Sequence, residues 1–136
     1  MEFRQTTQND LDYMVNHSIN QRVDRKKLDQ IDYTYTLEHN GVPFMVGGFR
    51  MVTATVAWCW VDLSDESRKH IIPLYRVIKE WITIFAKNHN IKRLQAFVRT
   101  NYTEGIRLIE HLGFEKESTM EKFFGNDDAF MYKRLL

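Results

Sequence analysis

The segment Asn101-Tyr-Thr-Glu-Gly-Ile-Arg-Leu-Ile-Glu-His-Leu-Gly-Phe114, NYTEGIRLIEHLGF in one-letter code, decides the fold. Its apolar residues recur with the spacing of one helix face: Ile106, Leu108, Ile109 and Leu112. Gly113 can adopt the left-handed backbone conformation that ends many helices, and Phe114 begins an apolar stretch typical of a strand. The segment therefore predicts a helix that a glycine ends and that leads into a strand.

Strands and helices are also predicted on both sides of this segment. Alternating, β-branched or continuous apolar residues predict these strands: Glu2–Thr6, Tyr33–Glu38, Val42–Phe49, Met51–Val61, Leu94–Val98, Phe114–Phe123 and Ala129–Leu135. A helix over His70–Asn88 has regular apolar spacing, and Pro73 fits it only in the first turn. An earlier helix carries Leu11, Met14 and Val15, with Asn9 or Asp10 as its cap. His17–Asp32 predicts a second short helix or a loop.

Turn signals connect several of these elements. His39-Asn40-Gly41 tolerates positive φ and predicts a hairpin, as does Gly125-Asn126-Asp127. Gly47-Gly48 predicts a bulge or a bend. The resulting order mixes strands and helices in a way that needs one central sheet with helices packed on it. We therefore expect an α/β (α+β) fold, with residues 1–136 forming a single domain.

Composition excludes several classes of protein. The chain has 136 residues, and its hydrophobic share of 43% and charged share of 27% exclude a disordered chain, collagen and a coiled coil. A net charge of +1 gives no field that would attract nucleic acid, although Arg22 to Lys27 and Arg68 to His70 are local basic segments. Cys59 has no internal disulfide partner, and the start MEFRQTTQND lacks the features of a secretion signal. We expect a cytoplasmic protein without a membrane span.

The closing helix carries a resemblance to a known family. Ile-Arg-Leu-Ile-Glu-His-Leu-Gly-Phe, ending at Phe114, is similar to the closing helix of the GNAT N-acyltransferase superfamily, in which an Asn at the end of a strand precedes the helix. The opening Phe3–Asp12 resembles the family's first strand and helix. The resemblance implies a mixed central sheet of six or seven strands with flanking helices, and transfer of an acetyl group from acetyl-CoA to a primary amine. Within the superfamily the chain most resembles the short GNAT-like proteins encoded by bacteriophages, and a phage protein would be expected in the host cytoplasm.

The family pattern also implies a cofactor site. Backbone groups at the end of the long strand hold the thioester or pantetheine, and the matching residues here are Trp60, Val61, Asp62 and Leu63. The family's turn (Arg or Gln)-x-x-Gly-x-(Gly or Ala) holds the pyrophosphate of coenzyme A with backbone N–H groups. Arg68-Lys69-His70-Ile71-Ile72-Pro73 matches it, with Ile71 and Pro73 in place of glycine. The side chains of Arg68, Lys69 and His70 either replace those contacts or form an ordinary solvated turn. Asn101 matches the family's Asn, with one extra residue before Gly113.

Acyl transfer to an amine also needs a base and an acid, and a few side chains are candidates for these roles. Asp62 is the candidate base, acting directly or through water, although it could instead cap the following turn. Glu38 is a weaker candidate. The family's proton-donating Tyr corresponds to Ile109, so Tyr102 is the candidate acid and Tyr132 the alternative. Trp58 and Trp60 share one face of their strand, either as packing or as the lining of an acceptor pocket.

Other functions receive less support from the sequence. The five histidines and one cysteine form no zinc pattern, so we expect no metal. A catalytically degenerate GNAT-like module, such as a phage protein that helps virion assembly or binds a host partner, is the alternative to an enzyme. Nucleic acid is an unfavoured partner, the acceptor is unidentified, and a homodimer is left open.

Overall fold

The computed structural model of the protein describes residues 1–19 and 33–136. The short helix or loop predicted over His17–Asp32 lies mostly outside the described residues, as do Arg22 to Lys27. Among the helices within the described ranges, none is long and apolar enough to cross a membrane.

In these two ranges the chain forms seven strands, three α-helices and one 3-10 helix. The strands are β1 (Glu2–Gln5), β2 (Tyr33–His39), β3 (Val42–Met51), β4 (Val56–Leu63), β5 (Arg93–Arg99), β6 (Glu115–Phe124) and β7 (Asp127–Leu135). The helices are α1 (Gln8–His17), the 3-10 helix (Asp65–His70), α2 (Ile71–Asn88) and α3 (Thr103–His111). Gly113 follows α3 with φ +88, as its role at the helix end requires.

All seven strands belong to one sheet, in the order β1-β2-β3-β4-β5-β7-β6. β4 pairs with β5 in parallel, whereas β1–β2, β2–β3, β5–β7 and β6–β7 are antiparallel pairs. A parallel pair needs a crossover, which α2 provides between β4 and β5. The predicted mixed sheet of six or seven strands with flanking helices is confirmed.

The contacts group the chain into two compact units. The first contains Met1–Arg50 and Cys59–Ile71, and the second contains Met51–Trp58 and Ile72–Leu136. In the first unit, Leu11 and Met14 of α1 pack against Val46 of β3. In the second, α2 buries Leu74, Ile78, Ile82 and Phe85, and β5 buries Leu94, Ala96 and Val98. The single domain stays a prediction.

Two predicted boundaries are wrong. The long strand begins at Val56 and ends at Leu63, whereas Met51–Val61 was expected, because Met51 belongs to β3 and residues 52–55 form a turn. The N–H of Val52 donates to the carbonyl of Val56 and closes that turn. The N-cap of α1 is Thr7, two residues before the expected Asn9 and three before the expected Asp10. Asp10 is the third helical residue, and its carboxylate accepts from the Thr7 N–H in a capping box.

The predicted bulge at Gly47-Gly48 is also absent from the described ladder, since both glycines pair regularly with β2. The irregularity lies between Leu37 and Glu38. A Cβ atom on Gly47 would lie 2.7 Å from the Trp60 carbonyl oxygen, and one on Gly48 would collide with the Tyr33 carbonyl oxygen. The glycines therefore allow neighbouring backbone to approach closely.

An ionic network around the buried carboxylate of Asp10 joins β1, α1 and β2. The guanidinium of Arg4 donates to both carboxylate oxygens of Asp10, at 2.6 and 2.8 Å, and to Glu38 at 2.9 Å. Asp10 also accepts from the hydroxyl of Thr36. Burial raises the pKa of Asp10, but Arg4, the Thr7 N–H and Thr36 more than offset this effect, so its pKa lies below the ordinary value. Glu38 is thus committed to an ion pair, which weakens its candidacy as a base.

The Asp10→Asn variant should lower the free energy of unfolding by about 2 kcal/mol near neutral pH, because the half-exposed Arg4 loses its charge-assisted bonds to the buried carboxylate. Since the pKa of Asp10 is lowered by folding, its stabilisation is complete above the unfolded pKa, near 4, and is lost as pH falls through the folded value. Urea unfolding at several pH values should show a steeper loss for the wild type than for the variant in acid. Asp12→Asn, on the same helix, is the control, and equal acid slopes for wild type and Asp10→Asn would contradict the prediction.

Candidate functional site

The end of β4 is fixed by Ser64, which is fully buried. Its N–H donates to the carbonyl of Phe44 at 2.9 Å, and its hydroxyl donates to the carbonyl of Pro43 at 2.7 Å. Its own carbonyl accepts from the N–H and the hydroxyl of Ser67, at 3.0 and 2.6 Å. β4 is therefore attached to β3 at the residue where the chain turns into the following helix.

The helix after β4 begins earlier than the sequence pattern indicated. The 3-10 helix starts at Asp65 and continues directly into α2. In a 3-10 helix each N–H bonds to the carbonyl three residues earlier, so the N–H groups of Arg68, Lys69 and His70 are used within the helix. Asp65 and Glu66 occupy its first turn. The signal was present in the sequence, because Ser followed by Asp and Glu is typical of a helix start.

The basic side chains of this segment have local partners. The ammonium group of Lys69 lies 3.3 Å from the carboxylate of Glu66, and both side chains are exposed. The ring of His70 lies 5.5 Å from that of Phe44 on β3 and 5.5 Å from that of His39 at the end of β2. Arg68 is exposed. His70 thus contacts the hairpin between β2 and β3, which sequence reasoning did not foresee.

Backbone groups of β4 alternate in direction along the strand. The Ser64 N–H points to β3, so the backbone groups of Leu63 and Val61 point away from it. The described pairing of β4 with β5 covers Val56 to Trp58. The carbonyl of Leu63 accepts from the N–H of Ile19 at 2.8 Å. The predicted cofactor residues 60–63 therefore include a strand edge, part of which another segment of the chain occupies.

Side chains on β4 divide between packing and half-exposed positions. Trp60 packs against the cluster of Leu11, Met14 and Val46, which supports packing for this tryptophan. Asp62 is half-buried. Trp58 belongs to the second unit, where its ring stacks 4.3 Å from that of Phe97.

The end of α1 lies against the start of the 3-10 helix. The ring of His17 is 3.6 Å from the carboxylate of Asp65, and it stacks on Tyr13 with ring centres 4.0 Å apart. Burial, followed by the charges of Asp65 and Glu66, raises the pKa of Tyr13. The carboxylates of Asp65 and Glu66 therefore lie close enough to act on the end of α1.

The remaining candidates lie in the second unit. Asn101 is exposed in the turn after β5, and Tyr102 is the N-cap residue of α3. The ring of Tyr102 covers Gly105 so closely that a Cβ there would lie 2.5 Å from it. Tyr132 is buried and donates its hydroxyl to Glu110 at 3.3 Å. Burial and the charge of Glu110 raise the pKa of Tyr132, and these contacts give it a structural role.

The residues fit the two ends of coenzyme A differently. The edge of β4 fits the amide-containing arm, because a strand edge offers backbone donors and acceptors. The helix start does not fit the diphosphate as a glycine-rich turn does. Pro73 has no N–H, Ile71 is β-branched, and Asp65 and Glu66 add negative charge. The cationic side chains at this end are Arg68 and Lys69, so any diphosphate contact would come from side chains.

Ser64→Ala should destabilise the protein by about 1–3 kcal/mol, because the variant leaves the buried carbonyl of Pro43 without its donor. Ser118→Ala, at an exposed position on β6, should change the free energy of unfolding by less than about 0.5 kcal/mol. Chemical denaturation of both variants measures the difference. Equal stability of the two variants would show that the Ser64 hydroxyl contributes nothing.

Comparisons with known proteins show the fold. The sequence matches no protein-family profile and none of the curated proteins with which it was compared. Among solved structures, the ribosomal-protein-S18-alanine N-acetyltransferase from Escherichia coli aligns with a TM-score of 0.79 and 16% identity, over 98% of this chain and 92% of that one. Ard1 from Thermoplasma volcanium gives 0.78 and 14%, over 99% and 97%.

A variant of the spermidine N-acetyltransferase SpeG from Vibrio cholerae gives a TM-score of 0.79 and 13% identity, over 99% of this chain and 95% of that one. Identities this low say nothing about substrate. The chain therefore has, over nearly its whole length, the fold that these N-acetyltransferases share.

Proposed function

We propose that the protein is an N-acetyltransferase that passes the acetyl group of acetyl-CoA to a primary amine. The observation that carries the proposal is the fold, which aligns over 98% of this chain with an N-acetyltransferase. The strand edge at Val61 and Leu63 supports it, because backbone groups there can bind an amide-containing arm. We also propose a phage source and a location in the host cytoplasm, as the resemblance implies.

Acetyl-CoA supplies an activated thioester, so the protein needs neither a metal nor a covalent nucleophile. The β4 edge orients the thioester carbonyl through a backbone N–H. Asp62 removes a proton from the attacking ammonium group, directly or through water, so that the nitrogen has a free lone pair. As the C–N bond forms and the C–S bond breaks, the nitrogen loses its second proton to water, and the leaving thiolate takes up one proton. Tyr102 keeps its sequence-based role as the candidate acid for that last step. Asn101 keeps its sequence-based role as a candidate cofactor contact.

Acetyl-CoA should raise the melting temperature of the wild-type protein in a concentration-dependent way, with a stabilisation of about 2.7 kcal/mol at 100 times the dissociation constant. The double variant Arg68→Ala/Lys69→Ala should bind at least roughly tenfold more weakly, because it loses charge-assisted contacts to the diphosphate. Arg76→Ala/Lys87→Ala removes the same charge elsewhere on the following helix and should bind normally. Absence of any shift with the wild type would contradict the proposed function.

Asp62→Asn should reduce kcat/KM for amine acetylation by about a hundredfold or more, because the variant cannot accept the proton. Its affinity for acetyl-CoA should be unchanged, so that binding by calorimetry separates a catalytic effect from unfolding. Asp12→Asn is the charge-matched control. Normal turnover by Asp62→Asn would exclude this residue as the base.

A second function is favoured by the helix start. Asp65, Glu66 and Pro73 all disfavour an anion there, which is the pattern expected if the fold serves as a scaffold and no longer binds coenzyme A. A phage protein that assists virion assembly, or one that binds a host partner, is the form of this alternative. The same titration with acetyl-CoA distinguishes the two functions.

A further inference from the structure

We infer that the end of α1 is a clasp that occupies the β4 edge and must release before an acyl-CoA can bind there. The clasp consists of Tyr13, His17, Ser18 and Ile19. This inference rests on the proposed function, because it concerns how the proposed cofactor gains access to its site. Every contact that carries it lies within the first unit.

The backbone of the clasp behaves as a short added strand. Ser18 forms an isolated antiparallel bridge with Ser64, and its own backbone is extended, with φ −65 and ψ 136. The N–H of Ile19 donates to the carbonyl of Leu63 at 2.8 Å. An amide of the pantetheine arm would take the same acceptor on the same side of β4. The clasp and the arm therefore compete for one strand edge.

Side chains hold the clasp against the helix start. His17 stacks on Tyr13 and lies 3.6 Å from Asp65, which fixes the end of α1 beside the first residue of the 3-10 helix. The N–H of Ser18 donates to the carbonyl of Met14 at 2.9 Å, so the extended segment begins directly where the helix ends. The position of Ile19 is thus determined by helix packing as well as by its own hydrogen bond.

One polar group disfavours the closed state, in which the clasp occupies the β4 edge. The hydroxyl oxygen of Ser18 is buried and has no hydrogen-bond partner among the described residues. A buried hydroxyl without a partner is costly, and opening would return it to water. The clasp is therefore held by its backbone pairing with β4, the ring stack and the contact of His17 with Asp65, and it contains one buried group that favours release. Such a segment can change state when a ligand binds the open form better.

The consequence for binding is quantitative. Where only the open form binds, the apparent dissociation constant equals the intrinsic one divided by the open fraction. Loss of the Ile19 hydrogen bond should raise the open fraction, and affinity for acetyl-CoA should rise with it. A residue that merely supported the fold would have the opposite effect, because its loss would weaken binding.

The experiment compares Ile19→Pro with Ile19→Ala in the full chain. Proline removes the N–H, and the extended Ser18 before it is already in the conformation that proline requires of its predecessor. Alanine removes the same side chain but keeps the N–H. Calorimetric titration with acetyl-CoA should give a dissociation constant at least roughly fivefold lower for Ile19→Pro than for Ile19→Ala. Equal or weaker binding by Ile19→Pro would overturn the inference.

A second variant covers the case in which Ile19→Pro fails to fold. His17→Ala removes the ring stack and the contact with Asp65, and it should also tighten binding, whereas Asn16→Ala on the exposed side of α1 should not. Weaker or unchanged binding by His17→Ala would then overturn the inference.

Hydrogen exchange gives a readout that does not depend on turnover. The Ile19 amide of the wild type should be protected without ligand and should exchange faster when acetyl-CoA is added. An Ile19 amide that becomes more protected with ligand would overturn the clasp while leaving the proposed function intact. If no variant and no wild-type sample binds acetyl-CoA, the proposed function fails, and the inference fails with it.

Discussion

Four hydrogen bonds at Ser64 determine where β4 ends and how the next helix starts. Two of them attach the residue to Pro43 and Phe44 of β3, and two bring Ser67 back onto its carbonyl. Because the residue is fully buried, none of these groups can exchange its partner for water without cost. The direction of the Leu63 carbonyl, and hence the edge offered to Ile19, follows from this anchoring.

The same junction sets the electrostatics of the candidate site. A helix that starts at Asp65 presents carboxylates at its positive end, which stabilise the helix but disfavour an incoming anion. Cationic side chains follow one turn later, and Lys69 is already paired with Glu66. The proposed binding of coenzyme A thus depends on the strand edge and on side chains, whereas a glycine-rich turn would bind through its amides.

The sequence predicted those elements whose signals are local. The helix predicted over His70–Asn88, the hairpin around Gly41 and the glycine after α3 are confirmed within a residue or two, because apolar spacing and positive φ act over short stretches. Predictions failed where two local choices compete. Thr7 and Asp10 can each cap α1, and the capping box uses both, so the helix begins at Gln8. β4 begins and ends later in the chain than predicted. Residues 52–55 form a turn, although their composition is typical of a strand.

By itself, the sequence determined the mixed α/β architecture, the resemblance on which the proposed chemistry rests, and the loss of small residues at Ile71 and Pro73. Each of these follows from residue types and their spacing along the chain. Only the tertiary structure decided three long-range contacts. Glu38 pairs with Arg4, the hydroxyl of Tyr132 donates to Glu110, and the N–H of Ile19 donates to the carbonyl of Leu63. Those contacts join residues far apart in the chain. The last one is made by a backbone N–H group, which every residue except proline carries, so no pattern of side chains predicts it.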